Sequence, residues 1–209
     1  MTETVFILGR PGSGKSTATY RIAGSAWNIG WFVIRIRDYE ILWQMYQNDT
    51  ENKQFHSIEY NGFDVVDFSV LDLALQEVEM RVLECMSPAN ERGLIIIEFA
   101  RDDYDKAFKL FHRDIIQNAY FLFIEADVET CIQRIRERVT HPLTADDNFV
   151  SDYMLKNYYH KDSKEYIASR LKADYNINKH IEIIDNMGSQ QDFTEKVLRF
   201  AEKIFEQEI

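Results

Sequence analysis

Gly9-Arg10-Pro11-Gly12-Ser13-Gly14-Lys15-Ser16-Thr17 follows directly on the apolar run Val5-Phe6-Ile7-Leu8 and opens a stretch of helical periodicity. Gly9, Gly12 and Gly14 let the backbone curl so that successive N–H groups point inward, and the helix that begins near Lys15 adds the positive end of its dipole. The product is a nest for a polyphosphate. Lys15 is spaced to reach β- and γ-phosphates, and the Ser16 hydroxyl to complete coordination of a magnesium ion bridging them. A glycine-rich turn with a merely solvated Lys15 and Ser16 is the plain alternative, and the strand before and helix after weigh against it. The expected nucleotide-binding set is therefore Gly9, Pro11, Gly12, Ser13, Gly14, Lys15, Ser16 and Thr17, with ATP and Mg2+ as cofactors.

Outward from this loop, short apolar runs alternate with longer stretches of helical period. Thr4 to Leu8, Phe32 to Ile36, Leu94 to Ile97, Tyr120 to Ile124 and Ile181 to Ile184 read as strands. Lys15 to Ala23, Ser69 to Met86, Tyr104 to Asp114, Val128 to Arg138, Asp152 to Leu171 and Phe193 to Phe205 read as helices, Ser69 and Asp72 forming a capping box. Strands separated by helices predict an α/β protein: a three-layer P-loop NTPase fold with a five-stranded, mostly parallel sheet. Val33-Ile34-Arg35-Ile36-Arg37 alternates arginine with aliphatics, as an edge strand does, whereas Leu94 to Ile97 is continuously apolar, as a central strand is. Asn61-Gly62 between two β-rich arms, Phe55 to Phe68, signals a small inserted hairpin.

At 209 residues the chain has the size of one such domain, and 45% hydrophobic with 13% aromatic residues excludes a disordered chain. Cys85 and Cys131 have no CxxC partner and read as small core residues of a reducing compartment. The apolar runs are too short for a bilayer, and no basic-then-apolar leader is visible, so the expected location is the cytoplasm, with no membrane partner. With 24 Lys+Arg against 35 Asp+Glu, the net charge of −11 repels a nucleic-acid backbone, so no nucleic-acid partner is expected.

Leu94-Ile95-Ile96-Ile97-Glu98 ends an apolar strand in an acid, where ligands of an open α/β sheet collect. Glu98 is expected to hold magnesium through a water or to accept a proton from an attacking hydroxyl, and Arg101 to clamp an acceptor's anion. Asp38 follows the arginine-bearing strand and either takes the proton of an alcohol acceptor or caps the next helix, with Arg37 beside it to meet an acid group. Trp43, Tyr46, Phe55, His56, Tyr60 and Phe63 cluster in the same region and either stack a base or sugar or glue the hairpin to the sheet.

At this point the sequence resembles the adenylate-kinase-like branch of nucleoside monophosphate kinases. GRPGSGKST is close to that family's GGPGSGKGT; Arg134 and Arg138 precede Asp146-Asp147-Asn148 as in its lid, and Asp185-Asn186-Met187-Gly188-Ser189 is similar to its loop beside the adenine. The resemblance runs from residue 5 to the end. It implies one kinase-like domain, 1–209, with an acceptor-side insertion at about 38–68 and a lid at about 134–160. It also implies that Arg138 neutralises the moving phosphoryl group, that Arg134 flanks the adenine and that Gly188 passes its ring. Departures stand beside it: two lid arginines of the family are Thr144 and Met154 here, with Arg136 and Lys156 as nearby substitutes, and the acceptor-gripping Asp-x-x-Arg reads Asp38-Tyr39-Glu40-Ile41.

The expected activity is ATP-dependent phosphoryl transfer to a small molecule, a nucleoside, nucleotide or similar metabolite. Lys15, Arg138, Glu98 and Asp38 form the expected catalytic set, Arg101 and Arg37 bind the acceptor, and Ser16 and Glu98 hold the metal. A monomer or homodimer is expected. The competing expectation is a nucleotide-binding regulatory NTPase without a small-molecule acceptor, which the replacements at Thr144 and Met154 favour.

Overall fold

The computed structural model describes residues 2–86, 92–142, 144, 146–161 and 164–205. Seven strands, β1 (Thr2–Leu8), β2 (Phe32–Arg37), β3 (Phe55–Ser57), β4 (Phe63–Val65), β5 (Gly93–Phe99), β6 (Ala119–Glu125) and β7 (Ile181–Asp185), occur among these residues. They alternate with α1 (Lys15–Asn28), α2 (Asp38–Asn48), α3 (Ser69–Cys85), α4 (Tyr104–Phe108), α5 (Arg113–Gln117), α6 (Val128–Thr140), α7 (Asp152–Asn157), α8 (Lys164–Ser169), α9 (Leu171–Tyr175) and α10 (Gln190–Phe205). Five strands pair in parallel in the order β2-β5-β1-β6-β7.

Burial explains the strand sequences. β5 is paired on both edges by β2 and β1 and covered by helices on both faces, so Leu94 to Ile97 carries no polar alternation. Val5, Ile7, Leu94 and Ile96 pack on one face against Ile22 of α1 and Val197 and Phe200 of α10. Phe6, Leu8, Ile95, Ile97 and Phe99 pack on the other face with α2, α3 and the helices that follow β5. A strand's side chains alternate between faces, so Glu98 emerges on the α1 side with Leu94 and Ile96, and Arg35 and Arg37 emerge there with Val33. The alternation of β2 is thus that of an edge strand that sends two guanidiniums towards the end of β5.

Three expectations are corrected. The span Tyr104 to Asp114 is two short helices, because Glu79 of α3 accepts the His112 amide and His112 turns extended to start α5. The span Asp152 to Leu171 breaks after Asn157, where the Tyr158 and Tyr159 amides both donate to the Met154 carbonyl, and just beyond it Arg10 holds the Tyr159 and His160 carbonyls. Ser69 does not cap α3: Phe68 holds the cap position without a side-chain bond, and Asp67 accepts the Ser69 amide instead. The hairpin forms, but its tight turn is shifted by one residue. Tyr60 and Asn61 take positive φ, and Gly62 donates to the Glu59 carbonyl at 2.9 Å. Among the described residues no helix is long and apolar enough to cross a membrane.

Candidate active site

The loop from Gly9 to Gly14 joins β1 to α1 at the carboxyl end of the sheet, with β1 between β5 and β6. Gly12 and Gly14 have φ of +82° and +112°. A Cβ on Gly12 would meet the Cys131 carbonyl oxygen at 2.7 Å, and one on Gly14 the Asn186 Nδ2 at 2.5 Å. The loop is therefore pressed against α6 and the β7–α10 connection, and only glycine fits at both points. Asn186 Nδ2 also donates to the Ser13 carbonyl at 2.7 Å, and the Gly9 amide donates to the Tyr104 hydroxyl at 2.9 Å.

Arg10 fixes the loop from outside. Its guanidinium donates to the carbonyls of Tyr159 at 2.7 Å, Ala126 at 2.8 Å and His160 at 2.9 Å. Lys15 bends back over the loop, with Nζ donating to the Gly9 carbonyl at 2.8 Å and the Arg10 carbonyl at 2.9 Å. Burial pushes the Lys15 ammonium below its usual pKa, while Glu98 and Asp38 oppose that shift. An ammonium held in this position, next to a curled backbone at a helix start, fits a polyphosphate.

At the start of α1, Thr19 Oγ1 donates to Glu98 Oε2 at 3.0 Å and Ser16 Oγ lies 3.4 Å from Glu98 Oε1. Arg35 Nη2 reaches Glu98 at 2.7 Å, and its Nη1 reaches Asp146 at 2.7 Å. Arg37 bridges Asp146 and Glu40. Burial works against ionisation of Asp146, yet the bond from Arg35 and the charges of Arg35 and Arg37 hold its carboxyl below the usual range. Ser16 and Glu98, a hydroxyl and a carboxylate facing one gap, are a donor set suited to a hydrated magnesium ion.

A cleft of about 440 Å³ opens over these groups, within the size of small-molecule sites, about 300–1,000 Å³. Pro11, Gly12, Gly14, Lys15, Ser16, Thr17, Arg37, Asp38, Glu98, Arg134 and Arg138 line it, so the sequence brought most of its expected set to one place. Arg138 donates to the Asn148 carbonyl at 2.5 Å and its Nε has no partner. Arg134 donates to the Asn186 carbonyl at 2.7 Å and leaves Nη1 unpartnered.

Other expected residues lie outside the lining, and Asp38, which is in it, is engaged behind the cleft. Arg101 does not face the cleft: its guanidinium is buried against Asp38 and the carbonyls of Ala100 and Leu71, because β5 ends beneath α2 and α3. Asp38 begins α2 and makes no cap bond, its carboxylate being turned to Arg101. Gly9 and Ser13 support the loop from behind, and Gly188 lies exposed beyond Asn186, outside the cleft lining. Met154 is a core side chain, Thr144 shapes a turn with Asp147, and the nearby cations are spent on Asp152 by Arg136 and Glu129 by Lys156. The aromatic cluster glues: Tyr46 stacks on Phe63, and Phe63 meets Phe55 edge-on. Arg10, Arg35, Thr19, Tyr104 and Asn186 escaped the sequence reading. Arg35 left a signal in its alternating strand, and Arg10 and Asn186 stood inside quoted motifs without a role of their own.

Solved structures align over nearly the full chain. An APS kinase of Mycobacterium tuberculosis, solved with AMPPNP and APS, is 12% identical with a TM-score of 0.59, over 96% of this chain and 98% of that one. Kti12 of Chaetomium thermophilum, in complex with ADP-AlF3, is 10% identical with a TM-score of 0.58, over 97% of each chain. A gluconokinase of Sinorhizobium meliloti 1021 is 14% identical with a TM-score of 0.51, over 99% of this chain and 98% of that one. The fold is that of the P-loop NTPases. Identities this low carry the fold alone. A family profile described as Novel STAND NTPase 3 matches residues 1–60, less than a third of the chain. No curated protein sequence matches.

Proposed function

We propose that this chain transfers the γ-phosphoryl group of ATP to a small-molecule acceptor, a nucleoside, nucleotide or related metabolite, in the manner of the adenylate-kinase-like branch it resembles. The observation that carries the proposal is the continuity of the cleft, which runs from the phosphate loop past Ser16 and Glu98 to Asp38, Tyr39 and Leu42. A site built only to hold a nucleotide needs no second compartment opposite the phosphates. Lys15 and the loop amides hold the β- and γ-phosphates, Ser16 and Glu98 hold magnesium, and Arg138 steadies the phosphoryl group as charge spreads over it. Magnesium bound there neutralises phosphate charge. Asp38 accepts the acceptor's proton, Arg134 flanks the base, and the segment about 134–160 acts as the lid over the acceptor side at about 38–68.

The test is ADP release from Mg·ATP in the presence of pooled nucleosides, nucleotides, sugars and alcohols. One pool should accelerate release, and Lys15→Ala should abolish that acceleration. A regulatory NTPase is the second reading, favoured by the profile matched over residues 1–60 and by a lid whose Thr144 and Met154 have structural uses. It predicts slow hydrolysis indifferent to every pool.

A further inference from the structure

On the acceptor side the cleft wall consists of Arg37, Asp38, Tyr39, Leu42, Ala100 and Val150. Each guanidinium in or behind that wall is already matched by a carboxylate of the protein. Arg37 holds Asp146 and Glu40, Arg101 holds Asp38, and Arg35 holds Glu98 and Asp146. Asp38 and Asp146 are only 8% and 7% exposed, so the pairs they make are largely out of water, whereas Glu40 faces solvent. The donor side differs. Arg134 and Arg138 line it bonded to the Asn186 and Asn148 carbonyls rather than to a carboxylate, which leaves their charge for phosphate.

A ligand phosphate or carboxylate at the acceptor wall would have to compete with Asp146 and Glu40 for Arg37 and would meet the uncancelled charge of the carboxylates around it, an unfavourable exchange where Asp146 is buried. A hydroxyl compound without an anion would lay its apolar face on Tyr39, Leu42 and Val150 and present its oxygen to Asp38. Resting on the kinase reading above, we infer that the acceptor is a neutral or cationic hydroxyl compound carrying no phosphate or carboxylate at this wall. The transfer balances without a further reactant. The acceptor oxygen bonds to the γ-phosphorus as the bond to the β,γ-bridging oxygen breaks, ADP leaves with that electron pair, and the hydroxyl proton passes to Asp38.

Two arms test this. First, Mg·ATP turnover is followed with matched probes: nucleosides against their monophosphates, polyols against sugar acids, and amino alcohols. Stimulation of about tenfold or more confined to neutral or cationic members is expected, given the size of such desolvation effects. Turnover confined to phosphate- or carboxylate-bearing members would overturn the inference and leave the kinase reading standing, whereas no stimulation by any probe would overturn both. Second, sulfate is titrated calorimetrically into protein saturated with Mg·AMPPNP. Wild type should take up none, and Asp146→Asn, which releases one arm of Arg37 and one of Arg35, should bind it at least about tenfold more tightly, as a new charge-assisted contact allows. Sulfate binding to the wild type, or no gain in Asp146→Asn, would show that the carboxylates are not what closes this wall to anions.

Discussion

Arg101 and Asp38 make the sharpest quantitative test of the structure. The Arg101 side chain is 3% exposed and that of Asp38 is 11% exposed. The guanidinium also donates to the carbonyls of Ala100 at 2.6 Å and Leu71 at 2.7 Å. Arg101→Met keeps much of the apolar volume and removes the cation, which leaves Asp38 buried without its partner. Removing one member of a buried pair costs about 3–5 kcal/mol. For a chain of this size each kcal/mol lowers Tm by about 2–4 °C, so a fall of about 6–20 °C is expected. Asp38→Asn should also destabilise, since it leaves Arg101 with an amide. The double variant Asp38→Asn/Arg101→Met leaves no charge at this pair and should be less damaged than the sum of the two by about 2 kcal/mol or more. Urea unfolding of all four proteins, followed by far-UV circular dichroism and tryptophan fluorescence, measures this coupling. A coupling below about 0.5 kcal/mol would refute the pairing. So would an Arg101→Met protein of wild-type stability with a raised KM, the behaviour of a clamp on the acceptor.

Gly12→Ala forces a side chain into a left-handed backbone with φ of +82° and against the Cys131 carbonyl at 2.7 Å. It should cost about 1–3 kcal/mol and abolish Mg·nucleotide binding in calorimetry; wild-type binding would contradict the tight approach of loop and α6. Arg10→Ala removes the donors to Tyr159 and His160, and limited proteolysis should then cut faster near those two residues than in wild type. Asp146 has a folded pKa below its ordinary 3.8, so the unfolded chain binds this proton first. Its contribution is therefore full above that ordinary value and fades as the pH falls through the lowered one. The stability gap between wild type and Asp146→Asn should be constant near neutrality and close in acid; a gap that widens in acid would reverse the sign.

The parts of the site legible in the sequence are those whose chemistry is contiguous. GRPGSGKST carries its own glycines, ammonium and hydroxyl within nine positions between a strand and a helix, and Glu98 follows from an apolar run ending in an acid. The alternation in β2 foretold an edge, yet gave no hint that Arg35 would reach Glu98, 63 positions away. Tyr104 on the Gly9 amide and Asn186 on the Ser13 carbonyl are separated by 95 and 173 positions, and no local pattern encodes such partners. Arg101 shows the opposite failure. Its place after a central strand suggested a ligand, whereas its environment under α2 and α3 supplies Asp38 and two carbonyls. The long helix expected from Asp152 is likewise interrupted, and Arg10 holds the Tyr159 and His160 carbonyls just past the break from across the fold.

The proposed activity requires the loop from Gly9 to Thr17 to hold a polyphosphate through its amides and Lys15. Titration of Mg·AMPPNP into wild type and Lys15→Ala by calorimetry tests it most directly. Saturable one-to-one binding in the range of about 1 μM to 1 mM usual for enzyme substrates, lost in Lys15→Ala, is the expected result. No heat of binding in the wild type, or equal affinity in the variant, would contradict it.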